Sequence, residues 1–151
     1  MESIEETLKS RGISHKEMTG LSWSDEFWLK HNILDNGTVM DYFYISVFYD
    51  KAANNEKTKE DLGKLKFMKG LEYTLVHSIP EAGIFHIRKQ FRHSERKITP
   101  LALYYVLGGI VYEAPSLYRV LDCKIRNLSF SLNQSLENLS SFIRDLPFES
   151  K

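Results

Sequence analysis

At 151 residues the chain has the length of a single domain, and 42% hydrophobic and 13% aromatic content is enough to build a real core. Twenty basic residues balance twenty acidic ones, which argues against a chain built chiefly to coat nucleic acid or an anionic membrane. One cysteine, Cys123, rules out an internal disulfide framework, no stretch nears the ~20 apolar residues of a membrane span, and the acidic start Met1-Glu2-Ser3 has no secretory h-region; the reading is a soluble protein of the cytosol or nucleus.

Residues 2–11 have the charge order of a short helix, with Glu2, Glu5 and Glu6 ahead of Lys9 and Arg11 and Gly12 as the stop. Leu21 to Leu29 carries Trp23, Phe27 and Trp28, aromatic anchors for a core or a partner. Asn36-Gly37 marks a turn. Thr38 and Asp41 then have the spacing of a capping box, which predicts a short helix to about Ile45. Asn54-Asn55 reads as the N-cap of a charged helix from about Asn55 to Lys66, with Leu62 and Leu65 inward.

The next section alternates. Leu71 to His77 and Ile84 to Phe91 flank a hairpin loop at Ile79 to Gly83, and matching their apolar faces requires odd positions to pair with odd ones. After a polar turn at Ser94 to Lys97, the run Tyr104 to Pro115 is apolar at odd and even positions alike, the pattern of a central strand covered on both faces. Gly108-Gly109 within it reads equally as a tight turn or as a bulge in one long strand.

From Ser116, Leu117, Leu121, Ile125, Leu128, Leu132, Leu136, Leu139, Ile143 and Leu146 recur at a mean spacing of about 3.6, an amphipathic helix bounded by Pro115 and Pro147. Unbroken, it would be roughly 45 Å long, against a diameter near 40 Å for a domain of this size, so it either breaks or projects. The predicted fold is α+β: a small, mostly antiparallel sheet of about four strands, flanked by N-terminal helices and a long C-terminal amphipathic helix. Residues 1–115 form the core domain, and residues 116–151 a helical region packing on that core and on partners.

The residues that carry chemistry do not converge. His77 and His86 lie on neighbouring strands, but an odd–odd register puts them on opposite faces and no third ligand follows, so no metal site is expected. Cys123 lacks a nearby base and reads as an inert helical cysteine. Asp50, Asn54, Asn55 and Glu56 lack the alternating spacing of a calcium loop. There is no nucleophile elbow, phosphate loop or dinucleotide fingerprint, and no cofactor is expected. Arg88, Lys89, Arg92, His93, Arg96 and Lys97 form the one dense basic cluster, read equally as a site for phosphate or an acidic peptide and as a solvated strand end. Phe130 and Phe148 lie opposite the leucine stripe of the last helix, which suggests contacts on both of its sides.

Four blocks in order carry a resemblance over about residues 19–121. They are Leu21-Ser22-Trp23 with Phe27-Trp28; Val39 to Phe43 followed by Phe48-Tyr49-Asp50 and Asn54-Asn55-Glu56; Gly70 to Tyr73 with Ile87 to Gln90; and Pro100-Leu101 through Tyr104-Tyr105, Gly109, Ile110, Tyr112 and Ala114-Pro115. They resemble the family of the sixth subunit of the Mediator complex. The resemblance implies a nuclear, non-enzymatic coactivator subunit of the Mediator head module. It also implies head subunits as partners, and a place near where the C-terminal repeat tail of RNA polymerase II binds. Family members commonly continue past the last helix. Neither a membrane partner nor sequence-specific nucleic-acid binding is expected.

The expected partner-binding residues are Arg88, Lys89, Arg92, Arg96 and Lys97 of the basic cluster, and Phe130, Leu132, Leu136, Leu139, Phe142, Ile143 and Phe148 of the last helix. A second reading is a ligand-binding or enzymatic domain with a pocket between sheet and helix, lined by Tyr73, Tyr104, Tyr112 and His77. A third is a nucleic-acid module built on the basic cluster.

Overall fold

Two stretches of chain behave as separate units in the computed structural model, Met1–Ala114 and Pro115–Lys151; it describes residues 17–58 and 62–144. The predicted helix at 2–11, Leu146 and Phe148 fall outside the described residues.

The first unit is built on five antiparallel strands: β1 (Ser22–Trp23), β2 (Gly70–Ile79), β3 (Ile84–Arg92), β4 (Ile98–Leu107) and β5 (Ile110–Glu113), in the order β1-β5-β4-β3-β2. The class is the expected α+β, with one strand more than expected. The additional strand is β1, whose two residues pair with Tyr112 and Val111 and are too few for alternation to register in the sequence. Two short helices, α1 (Glu26–His31) and α2 (Val39–Tyr44), precede the meander.

Gly108-Gly109 turns the chain. Both residues have positive φ, +55° and +87°, and Leu107 pairs with Ile110, which is a two-residue hairpin. Glycine suits two consecutive left-handed positions because it has no Cβ to clash. At Gly109 a Cβ would also sit 2.6 Å from Leu29 Cδ1, so α1 closes directly over the turn. The hydroxyl of Tyr42 ties the two together, donating to Gly109 O at 2.7 Å and accepting from the backbone N–H of Asp25 at 2.9 Å. Asp25 in turn caps α1 by accepting from Trp28 N.

The core lies on one face of the sheet. Tyr73, Phe85, Ile87, Tyr104, Val106 and Val111 meet Val39, Tyr42 and Phe43 of α2 and Phe48 beyond it, all of them buried. The ring of Phe43 stands 5.4 Å from that of Tyr73 and 5.2 Å from that of Tyr104, spacings at which aromatic pairs attract. The second face of the central run is not covered as expected: Leu107 and Ile110 are 41% and 38% exposed, and Tyr105 and Tyr112 are half-buried. Its apolar residues reflect a half-open face, not a strand sealed on both sides.

Three local expectations are corrected. The capping box does not form. Thr38 Oγ1 donates to Ile33 O and accepts from Asp35 N, while the carboxylate of Asp35 takes the N–H groups of Gly37 and Thr38; those two bonds hold the carboxyl of Asp35 below its ordinary pKa. Among the described residues, the helix expected over Asn55–Lys66 is two 3₁₀ turns, Asn54–Lys57 and Leu62–Phe67. Its supposed caps are buried and work at long range, Asn54 on Lys69 O and Asn55 on both backbone groups of Tyr73.

The third correction is one of register. Leu71 pairs with Phe91, Tyr73 with Lys89 and Leu75 with Ile87, odd with odd as expected, but a bulge at Val76 then shifts the ladder by one so that His77 faces His86. Their rings lie 5.3 Å apart on the same face. A second bulge, at Leu101, accommodates Pro100, which has no N–H to give a regular ladder.

Burial of the core tyrosines has a consequence for stability in alkali. Loss of solvent raises the hydroxyl pKa of Tyr73 and Tyr104 above the ordinary value near 10. The unfolded chain therefore binds fewer protons than the folded one above about pH 10, and stability falls as pH rises, by about 1.4 kcal/mol per pH unit for each such tyrosine. Burial shifts Tyr42 and Tyr49 upward as well, and Lys89, whose pKa burial lowers, works in the opposite sense as one group against four. Urea midpoints are expected to hold between pH 8 and 9 and to drop steeply from pH 10 to 11; a flat profile over that last interval would contradict the burial of these hydroxyls.

Candidate interaction surfaces

The second unit contributes one helix, α3 (Leu117–Arg144), of 28 residues or about 42 Å. Pro115 precedes it, and Ser116 caps it by accepting from Arg119 N. None of its residues is buried. The whole stripe, Leu117, Leu121, Ile125, Leu128, Leu132, Leu136, Leu139 and Ile143, is exposed, from 49% at Ile143 to 73% at Leu117, and so are Phe130 and Phe142. A regular apolar stripe in water is the mark of a surface meant to be covered. An i,i+4 pair, Asp122 with Arg126 at 2.9 Å, supports the polar side. Cys123 is exposed.

The basic cluster is not one surface. Alternation along β3 sends Lys89 into the core, where it is 8% exposed with its Nζ 5.8 Å from the centre of the Tyr73 ring, while Arg88 and Arg92 emerge on the opposite face. Arg92 is committed within the fold. Its Nε lies 3.0 Å from Glu72 Oε2 and its Nη2 2.7 Å from Glu72 Oε1, and Nη1 donates to Glu95 O. The Glu72 hydrogen bond holds the Arg92 pKa above its usual value. Gln90 Nε2 donates to the same carboxylate, and Arg88 Nε donates to Gln90 Oε1 at 2.6 Å. Glu72, fully buried, is the centre of this network and was invisible as such in the sequence. Arg96 and Lys97 are exposed in the turn before β4, and the ring of His93 meets Thr99 Oγ1.

The strand register arranges the outer face in rows. Ile79, Ile84, Leu107 and Ile110 form an aliphatic row at the hairpin end; His77, His86, Tyr105 and Tyr112 form an aromatic one; Thr74, Arg88 and Leu103 follow, and then Glu72 with Gln90. Tyr73 and Tyr104 lie on the core face while Tyr112 and His77 lie on the outer one, so the four cannot line one pocket. His77 and His86 are neighbours after all, but among the described residues no group of three or more His, Cys, Asp or Glu is placed to hold a metal ion.

The family model described as "MED6 mediator sub complex component" matches residues 21–145, the sheet and all of α3. The chain belongs to this Mediator subunit 6 family. The Mediator subunit 6 of Drosophila melanogaster is 42% identical over 145 residues, covering 93% of this chain and 57% of that protein. The Danio rerio subunit is 35% identical, covering 86% and 52%. The chain thus spans about half the length of these relatives. Among solved structures, a chain of the Schizosaccharomyces pombe Mediator head module superposes with a TM-score of 0.71 at 27% identity, covering 82% of this chain and 90% of that one. The Schizosaccharomyces pombe subunit Med6 gives 0.62 at 28% identity, covering 83% and 99%. Both solved relatives share the fold of this chain.

Proposed function

We propose that the chain is a non-enzymatic, nuclear transcription coactivator subunit. In this reading it is a structural component of the Mediator head module that helps bridge activators to RNA polymerase II and its C-terminal repeat tail. The observation that carries the reading is the uninterrupted exposed stripe of α3 in a chain that superposes on a head-module subunit. A helix of this length with eight aliphatic residues along one side gains roughly 1.5–3 kcal/mol for each one buried by a partner. Leu132, Leu136, Leu139, Phe142 and Ile143 are the docking residues in this account, with Phe130 contacting a second element on the opposite side.

The test is co-expression with the other head subunits of the same organism, using the full chain and a variant carrying Leu132→Asp, Leu136→Asp and Leu139→Asp. Three carboxylates on the stripe should reduce recovery of head subunits at least tenfold while leaving the tyrosine-rich core and its near-UV signal unchanged. Full recovery of the head with the triple variant would refute docking through α3. Binding of a repeat-tail peptide to the assembled head, with and without this subunit, tests the bridging role separately.

A further inference from the structure

We infer that the outer face of the sheet, the side away from the aromatic core, docks an acidic amphipathic helix through Arg88. This concerns the first unit alone and does not rest on the role proposed for α3.

The hydrogen-bond network decides which cation is available. Glu72 is fully buried and takes both Arg92 and Gln90, so the charge of Arg92 is cancelled within the fold. The amide nitrogen of Gln90 is thereby committed to Glu72, and its oxygen is turned toward Arg88 Nε. That bond fixes the plane of the Arg88 guanidinium, and among the described residues neither terminal nitrogen has a hydrogen-bond partner. A guanidinium held by Nε with its terminal edge open matches a carboxylate in a two-bond, planar arrangement. Because the side chain is already positioned, little rotamer freedom is lost when the pair forms. Thr74, paired with Arg88 across the ladder, adds beside the site a buried hydroxyl that has no hydrogen-bond partner among the described residues.

The rest of the face defines the shape of the partner. Four residues from Arg88 along β3 lies Ile84, about 13 Å away at ~3.3 Å per residue. It stands in register with Ile79 and Leu107, which are 42% and 41% exposed. The aromatic row lies halfway. A helix rising ~1.5 Å per residue spans that distance with an acidic residue at i and apolar residues at i+4 and i+8. An uncharged apolar partner would bury Arg88 unpaired, which is costly, and a basic one would be repelled. Nucleic acid fits poorly, because phosphate binding needs several cations in a row and this face offers one beside an aliphatic end.

The probe is a fluorescein-labelled 16-residue synthetic helix with Glu at i and Leu at i+4 and i+8, titrated against the full 151-residue chain by anisotropy. Replacing the peptide Glu by Gln, or Arg88 by Gln in the protein, should weaken binding about tenfold or more. Arg88→Lys should fall between, since it keeps the charge and loses the planar fork. Leu107→Asp, at the far end of the face, should weaken binding independently, and Arg96→Gln should leave it unchanged. Equal binding of the Glu and Gln peptides, unchanged affinity in both Arg88→Gln and Leu107→Asp, absence of binding at millimolar peptide, or displacement of the peptide by an equimolar single-stranded RNA would each overturn the proposal.

Discussion

Replacing Glu72 with alanine is expected to destabilise the first unit by about 3–5 kcal/mol, the cost of leaving a partly buried guanidinium without its carboxylate. Glu72 is inaccessible to water and Arg92 retains 12% side-chain exposure, so the lower end of that range is the better target. Gln90 and, through it, Arg88 lose their orientation in the same step. Urea unfolding followed by far-UV circular dichroism measures the loss. A double variant, Glu72→Leu with Arg92→Met, should be more stable than Glu72→Ala alone, because it removes both charges and fills the space with apolar atoms. A loss below about 1 kcal/mol for Glu72→Ala would show that water enters the site freely.

The second large effect is expected at Asn55. Its side-chain amide behaves as a piece of neighbouring strand: Oδ1 accepts from Tyr73 N at 2.8 Å and Nδ2 donates to Tyr73 O at 2.9 Å. β2 is an edge strand, and this amide covers two of the backbone groups that an edge would otherwise present. Asn55→Ala should cost about 2–4 kcal/mol, since two buried backbone groups lose their partners together. Asn55→Asp separates shape from chemistry. A carboxylate still accepts from Tyr73 N, but its second oxygen meets Tyr73 O, acceptor against acceptor. That variant should be strongly destabilised at pH 7 and regain part of its deficit, relative to the parent, near pH 4, where the protonated acid can donate. Thermal melts of both proteins at the two pH values read the difference, and a deficit that grows on acidification would contradict the assigned bonds.

What the sequence made legible was what depends on neighbours a few residues away. The 3.6-residue spacing from Leu117 to Ile143 is a local property of one helix, and α3 follows it from end to end. The alternation in β2 and β3 is equally local, and the odd-with-odd pairing it called for holds as far as Leu75, as where Leu71 meets Phe91. The failures share a different origin. Asn55 was assigned to a nearby helix end because its true partner, Tyr73, is 18 residues away. Glu72 alternates with apolar Leu71 and Tyr73, and its burial depends on Gln90 and Arg92 in the next strand. Val76 fits the strand pattern as well as any of its neighbours, so nothing in the composition of β2 announces the extra residue that brings His77 and His86 together. The basic cluster was real as a run of residues, but alternation and one buried carboxylate reduced its sheet face to a single available charge.

The place of β1 has a consequence for the order in which the chain can fold. The strands β2 to β5 each pair with the next one in sequence, and such local ladders close quickly because little loop entropy is lost. β1 pairs instead with β5, Ser22 opposite Tyr112, across nearly the whole length of the unit. Trp23 and Trp28 have no completed sheet to rest against until β5 exists, and synthesis runs from the other end. As the chain leaves the ribosome, its aromatic N-terminal segment is made first and housed last. For the time taken to translate roughly ninety residues it must be kept from sticking elsewhere, either by its own charged flanks or by a chaperone.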